Sequence, residues 1–172
     1  MTVRQPPQNP LPDFELKNPD AVYAPEDLVH PELRALFSFW QAKAGTRAAP
    51  TRQDLDVFDL KQWLPHIQLV DVVENFTDIR YRVVGTWIVE RYGQDDTGRT
   101  ITEIGLTDHN REIRDEFLAT AENMTPQSIV RPFYDQVGVK EFSSAERLML
   151  PLSTDGRTCD KVLSAIYYLS AD

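Results

Sequence analysis

With 172 residues, 41% of them hydrophobic and 26% charged, the chain has the make-up of one soluble globular domain with apolar content enough for a real core. A formal net charge of −9 excludes nucleic acid as a partner, since a phosphate backbone calls for a surplus of Lys and Arg, and it excludes an anionic membrane surface on the same ground. Cys159 is the only cysteine, so an intrachain disulfide is excluded, and no apolar run has spanning length; the expectation is a cytoplasmic protein without signal segment or membrane contact.

Seven of the twelve prolines lie between Pro6 and Pro31. Residues 1–26 therefore read as an extended or disordered arm, whose removal through Ala24 is expected to change stability by less than about 1 kcal/mol. Residues 27–172 read as a single domain. Order is expected to set in at Pro31, a favoured first residue of a helix. From there Leu33, Leu36, Phe37, Trp40 and Ala44 mark one apolar face, Phe39 widens it, and Gly45 supplies the stop. An apolar surplus on a terminal amphipathic helix predicts a homodimer, with Leu33, Leu36, Phe37, Phe39 and Trp40 as its interface.

Residues 47–56 read as a loop, and Asp59–Leu64 as a short helix capped by Asp59 and stopped by Pro65. Ile67–Glu74 and Ile79–Val84 predict two strands of a hairpin, turned at Asn75–Asp78; Ile79, Tyr81 and Val83 alternate with Arg80 and Arg82. Gly85 ends the second strand, Thr86 is placed to cap a helix Trp87–Tyr92, and Gly93 closes that helix. After a turn-rich stretch, Asp108 reads as the N-cap of a helix running to about Asn123, with an Arg111–Asp115 ion pair along it. Three strands follow: Ser128–Asp135, Glu141–Leu152 and Lys161–Leu169, with turns at Gly138 and at Ser153–Gly156. Pro132 places the first of them at an edge, and the last, apolar on both faces, belongs in the centre. The order predicts an α+β fold: a five-stranded antiparallel sheet with helices on one face, plus the N-terminal amphipathic helix.

Reactive chemistry finds little support. His30, His66 and His109 lie apart, with no second His or Cys at metal-ligand spacing, so no metal site is expected. Asp108-His109 at a helix start reads as a cap with a solvated neighbour, and Ser143-Ser144 has no glycine elbow. Gly93–Gly98 lacks a lysine and carries Asp95-Asp96, which would repel a phosphate. Tyr81, Val83, Trp87, Ile88, Phe117, Phe133 and Leu148 come from different elements and are expected to converge on one interior. Either they wall a small cavity for an organic ligand, with Tyr81 and Trp87 each offering a hydrogen bond, or they fill the core at native density.

A series of short motifs runs through the same stretch: Trp40, Pro50-Thr51-Arg52, Leu64-Pro65, Arg80-Tyr81-Arg82, Val84-Gly85-Thr86, Gly93–Gly98, and Leu150-Pro151-Leu152 with Gly156. In that order and spacing they resemble the PAS superfamily, and more narrowly a family of small stand-alone bacterial PAS-like proteins, over about Pro31 to Leu169. The resemblance implies a PAS-like, non-catalytic sensor or interaction domain, commonly dimeric, acting on signalling proteins such as a histidine kinase or a regulator. It names no cofactor, because PAS folds carry haem, flavin, small metabolites or nothing. Haem held through His109 is opposed by that residue's place beside a cap, and flavin photochemistry by the lack of a cysteine near the interior. Three readings stand: a sensor for a small apolar ligand, a ligand-free dimeric interaction module for a kinase or regulator, and a small-molecule enzyme on an α+β cone fold.

Overall fold

Helix α1 (Pro31–Ala44) begins with Pro31 at its first position, where the missing N–H costs nothing, and His30 Nδ1 accepts from the Glu32 N–H at 3.1 Å. It ends on Gly45 at φ 61°. The structure, a computed structural model, describes residues 20–133 and 143–169. Strands β1 (Ile67–Val73), β2 (Asp78–Val84), β3 (Gln127–Phe133), β4 (Ser143–Leu152) and β5 (Lys161–Leu169) form one antiparallel sheet in the order β2-β1-β5-β4-β3. β5 takes the centre because its side chains are apolar to both sides, and β3, which contains Pro132, takes an edge.

Each strand divides its residues between two layers, as a period of two dictates. Leu148, Leu150, Leu163, Ala165 and Tyr167 face the layer that holds α1, while Val70, Met149 and Val162 face the other. That second layer holds α2 (Thr86–Tyr92), α3 (Ile101–Ile104) and α4 (Asp108–Asn123), with Phe117 and Ala121 of α4 in its core. The helices following β2 thus share one face of the sheet, and α1 covers the opposite one.

Several motif residues prove to be paired across the fold. The Trp40 indole N–H donates to the Pro151 carbonyl at 3.0 Å, and the Ser153 N–H donates to the Pro50 carbonyl at 3.0 Å. Gly85 sits against the turn at Leu64-Pro65, where a Cβ would stand 2.2 Å from the Pro65 carbonyl oxygen. The Arg80 guanidinium donates to the Gly98 carbonyl at 2.8 Å, the Gly98 N–H donates to the Tyr81 carbonyl at 2.7 Å, and the Tyr81 N–H donates to the Arg99 carbonyl at 3.0 Å. The loop after α2 therefore covers the open edge of β2, which would otherwise present unpaired backbone groups.

The structure departs from the sequence expectations in four places. First, residues 20–28 are docked rather than loose. Ala21 bridges to Gln127, Val22 and Leu28 are buried, and Pro25–Asp27 makes a single 3-10 turn. Apolar side chains between the prolines outweigh the local tendency to extended structure. Residues 1–19 of the expected arm, and the expected turn at Gly138, lie outside the described residues. Second, no helix forms at Asp59–Leu64. Turns run there instead, ending in a 3-10 turn at Leu64–His66, because Leu55, Leu60 and Trp63 must all reach α1 from a short segment. Third, both caps shift by one residue: Gly85 precedes α2 with no side-chain cap, and Thr107 Oγ1 caps α4 by accepting from the Asn110 N–H at 3.2 Å. Fourth, Arg111 pairs with Asp108 at 3.7 Å, whereas Asp115 takes Arg114 at 3.2 Å.

Glu146 on β4 was invisible as an anchor in the sequence. It is 1% exposed, and its carboxylate accepts from the Val29 N–H (3.0 Å), the His30 N–H (2.7 Å) and the Ser128 hydroxyl (3.1 Å). Those bonds fasten the segment before α1 to the sheet and compensate the burial of a charge.

Candidate functional site

Between the inner face of the sheet and the helices α2 to α4 lies a cavity of about 530 Å³. Its apolar lining includes Tyr81 from β2, Ile88 from α2, Ile101 from α3, Ile113 from α4, Ile129 from β3 and Ile166 from β5. The polar groups at it are Gln68, Tyr92, Gln94, Asp96, His109, Asn110, Glu116, Arg131 and Arg147. Apolar walls with a few fixed polar groups are the usual make-up of a small-molecule site, and the volume falls within the usual range.

The polar groups differ in how far they are already engaged. Arg131 is ion-paired with Glu116 and, at 3.5 Å, with Glu112. Asp96 accepts from Arg99 at 3.2 Å and from Gln94 at 2.5 Å, and the Asn110 amide donates to the Gly105 carbonyl at 2.7 Å. Gln68 is 5% exposed, and its Oε1 has no hydrogen-bond partner. Arg147 Nη1 is likewise shut off from solvent and without a partner, and its guanidinium carbon stands 5.6 Å from the Phe117 ring centroid. Burial pushes the Tyr81 hydroxyl up to about 12, against the opposing charge of Arg147, so the group at the cavity wall is a neutral phenol. His109 lies at the rim, where desolvation, then Arg147 and Arg131, hold its pKa below the ordinary value and favour neutral imidazole.

Of the residues expected at the cavity, Tyr81 and Ile88 line it. Val83 does not: it is 39% exposed, because the register with β1 shifts between Leu69, which pairs with Val83, and Val70, which pairs with Tyr81, and the extra residue breaks the alternation that would have carried Val83 inward with Tyr81. Leu148 belongs to the α1 side of the sheet, the same alternation sending its neighbour Arg147 to the cavity instead. Phe117 is fully buried in the packed core of α4, beneath Arg147. The Phe133 side chain lies outside the described residues. Trp87 is turned to a stack at the end of the sheet, with ring centroids of His66–Trp87 at 4.5 Å, His66–Tyr167 at 4.0 Å and His30–Tyr167 at 4.4 Å. Sequence reasoning missed Gln68, Arg131 and Arg147. Their signal was present in the strand period, which puts a polar residue on a face otherwise apolar, but it reads equally as an outward-facing residue until the second layer is known.

The expected dimer residues are spent on the chain's own core. Leu33, Leu36, Phe37 and Trp40 are 0–6% exposed, and Phe39 packs on Trp63 with ring centroids at 5.6 Å. The helix carries an apolar surplus because it is covered twice, by the sheet and by the segment holding Ala49, Leu55, Leu60 and Trp63. That removes the argument for self-association through this stripe. Cys159 is buried, with burial pushing its thiol up to about 11, far from the thiolate a reactive cysteine needs. Among the described residues no cluster of His, Cys, Asp and Glu is arranged to hold a metal ion, and no helix is long and apolar enough to cross a membrane.

Comparison with known proteins places this architecture. The family model that matches residues 28–167 is that of the PAS domain. Among solved structures, the PAS domain of BvgS from Bordetella pertussis is similar over 66% of this chain and 85% of its own, at 14% identity and a TM-score of 0.51. A sensory box sensor histidine kinase from Vibrio cholerae is similar over 67% of this chain and 90% of its own, at 14% identity and a TM-score of 0.46. No curated protein matches the chain. Identities this low speak for the fold alone.

Proposed function

The chain belongs to the PAS domain family, and from that premise we propose that it is a signalling sensor whose inner cavity holds a small organic molecule. In this reading it acts by binding, not by a reaction, and its response passes through its surface to a signalling protein such as a histidine kinase or a regulator. The observation that carries the reading is the cavity itself, about 530 Å³, with the unpartnered buried atoms of Gln68 and Arg147 at it. A core packed for stability alone closes such space and pairs such atoms, because voids and orphaned polar groups each cost stability.

The same geometry suggests how occupancy would be felt outside. α2 and α3 are too short to be stable as isolated helices and depend on what they pack against. Ile88 and Tyr92 of α2 and Ile101 and Ile104 at α3 line the cavity, so a bound molecule adds to the packing on which both helices depend. Trp87 of α2 stacks on His66, which ties α2 to the end of the sheet. Native mass spectrometry of freshly purified protein tests the reading. Ala145 of β4 also lines the cavity, and a stoichiometric mass, released on denaturation and lost in an Ala145→Phe variant that fills that space, is the expected result.

The second reading, a ligand-free docking module for a kinase or regulator, draws on the exposure of Phe58 (84%) and Val57 (51%) beside one another. A folded protein with no extra mass, and with the Ala145→Phe variant more stable than the wild type, would favour that reading over the sensor.

A further inference from the structure

Resting on the sensor reading, we propose that the cavity is built for a small monocarboxylate with an apolar body, its carboxylate received by Arg147. Arg147 pairs in the sheet with Ile129 on β3 and with Ile166 on β5, and all three line the cavity. Its guanidinium therefore rises from an isoleucine floor. Among the described residues no carboxylate pairs with it, and the Phe117 ring at 5.6 Å gives only a partial counterweight to its charge. Arg147 is half-buried with its Nη1 shut off from solvent, so its charge is partly stripped of water and unmatched, and a guanidinium fork matches a carboxylate with two parallel hydrogen bonds.

The other charges at the cavity set the valence of the ligand. Arg131 is already matched by Glu112 and Glu116, so it leaves no second cationic arm. Glu116 and Asp96 line the same space and oppose any second negative charge, which disfavours dicarboxylates and phosphate esters. Gln68 supplies the remaining polar contact. Its amide sits across the sheet from Ser164, whose buried hydroxyl is also unpartnered, and it can present either oxygen or N–H₂ to a ligand atom. The rest of the wall, from Ile88 to Ile113, fits an aryl or branched aliphatic body.

The test compares acids with neutral amides of the same shape by calorimetry on the unmodified full-length chain: 3-phenylpropionate against 3-phenylpropanamide, and octanoate against octanamide. At least one acid is expected to bind tenfold or more tightly than its amide, and benzylmalonate more weakly than 3-phenylpropionate. Arg147→Gln should erase the acid–amide gap while leaving the amide's affinity in place, and Arg147→Lys, which keeps the charge but loses the fork, should fall between. Equal affinity for acid and amide overturns the carboxylate assignment and leaves the sensor reading intact. The same holds if neither pair binds to a protein that carries a stoichiometric mass of another kind. Absence of any binding together with absence of any such mass sinks both.

Discussion

A Cβ at residue 85 would stand 2.2 Å from the Pro65 carbonyl oxygen and 2.5 Å from that of Leu64, both backbone atoms that cannot swing aside. The requirement is one of space, since Gly85 has an ordinary φ of −63° and its N–H donates to the Ile67 carbonyl at 2.7 Å. Gly85→Ala should therefore destabilise the fold by about 1–3 kcal/mol through forced displacement of the turn. A urea midpoint equal to that of the wild type would show that the turn yields freely. The sequence marked Gly85 as the end of a strand. It gave no sign that Pro65 would be the neighbour excluding every other side chain, because that contact depends on two segments brought together by the sheet.

At the scale of elements, the stack His30–Tyr167–His66–Trp87 joins the start of α1, β5, the turn before β1 and α2. Desolvation lowers the pKa of both His30 and His66 from the ordinary 6.5, against the raising influence of Glu146 and Glu32 on His30 and of the Ile166 carbonyl bond and Glu32 on His66; Arg91 adds to the lowering at His66. Because the unfolded chain binds these protons more readily, the two histidines contribute stability that is full above pH 6.5 and lost as pH falls through their folded values. Melting temperatures should thus decline as pH falls below about 6.5, and His66→Phe should flatten part of that decline. A profile unchanged by the substitution would remove His66 from the account. The N-terminal segment makes a similar point about context. Deleting residues through Ala24 removes Val22 from the core together with the Val22 N–H bond to Pro126 O (2.9 Å) and the Ser128 N–H bond to Asp20 O (2.8 Å). The expected loss is about 2–3 kcal/mol in chemical unfolding, where a free arm would give none.

For the molecule as a whole, α1 spends its apolar face on the chain's own interior and keeps its polar face in solvent. Trp40 is 6% exposed and bonded to Pro151, so Trp40→Glu buries a charge among Leu33, Phe37 and Leu152. The variant should lose about 3–5 kcal/mol or fail to fold, and the loss should be the same at low and high protein concentration. A concentration-dependent midpoint that the substitution abolishes would instead restore the helix as an interface. The two layers on either side of the sheet also explain why some site residues were legible and others not. Tyr81 and Ile88 announced themselves as large hydrophobic residues on the strand and the helix that Gly85 separates. Leu148 and Arg147 are neighbours on one strand, and nothing local says which of them meets the cavity.

The chain by itself determined its elements and most of their order in space. Periods of two and of 3.6, proline at an edge strand, and an all-apolar final strand are local or nearest-neighbour properties, and they led to the five-stranded antiparallel sheet with β5 central and β3 at the edge. Only the tertiary structure decided which face of each strand looks into the cavity, what covers α1, and which charges remain unmatched. Those outcomes depend on pairing between residues far apart in the chain: Arg131 with Glu116, Trp63 with Glu32, and Arg147 with no carboxylate among the described residues. Whether a buried charge is satisfied is a property of the whole packed interior, and no window of sequence contains it.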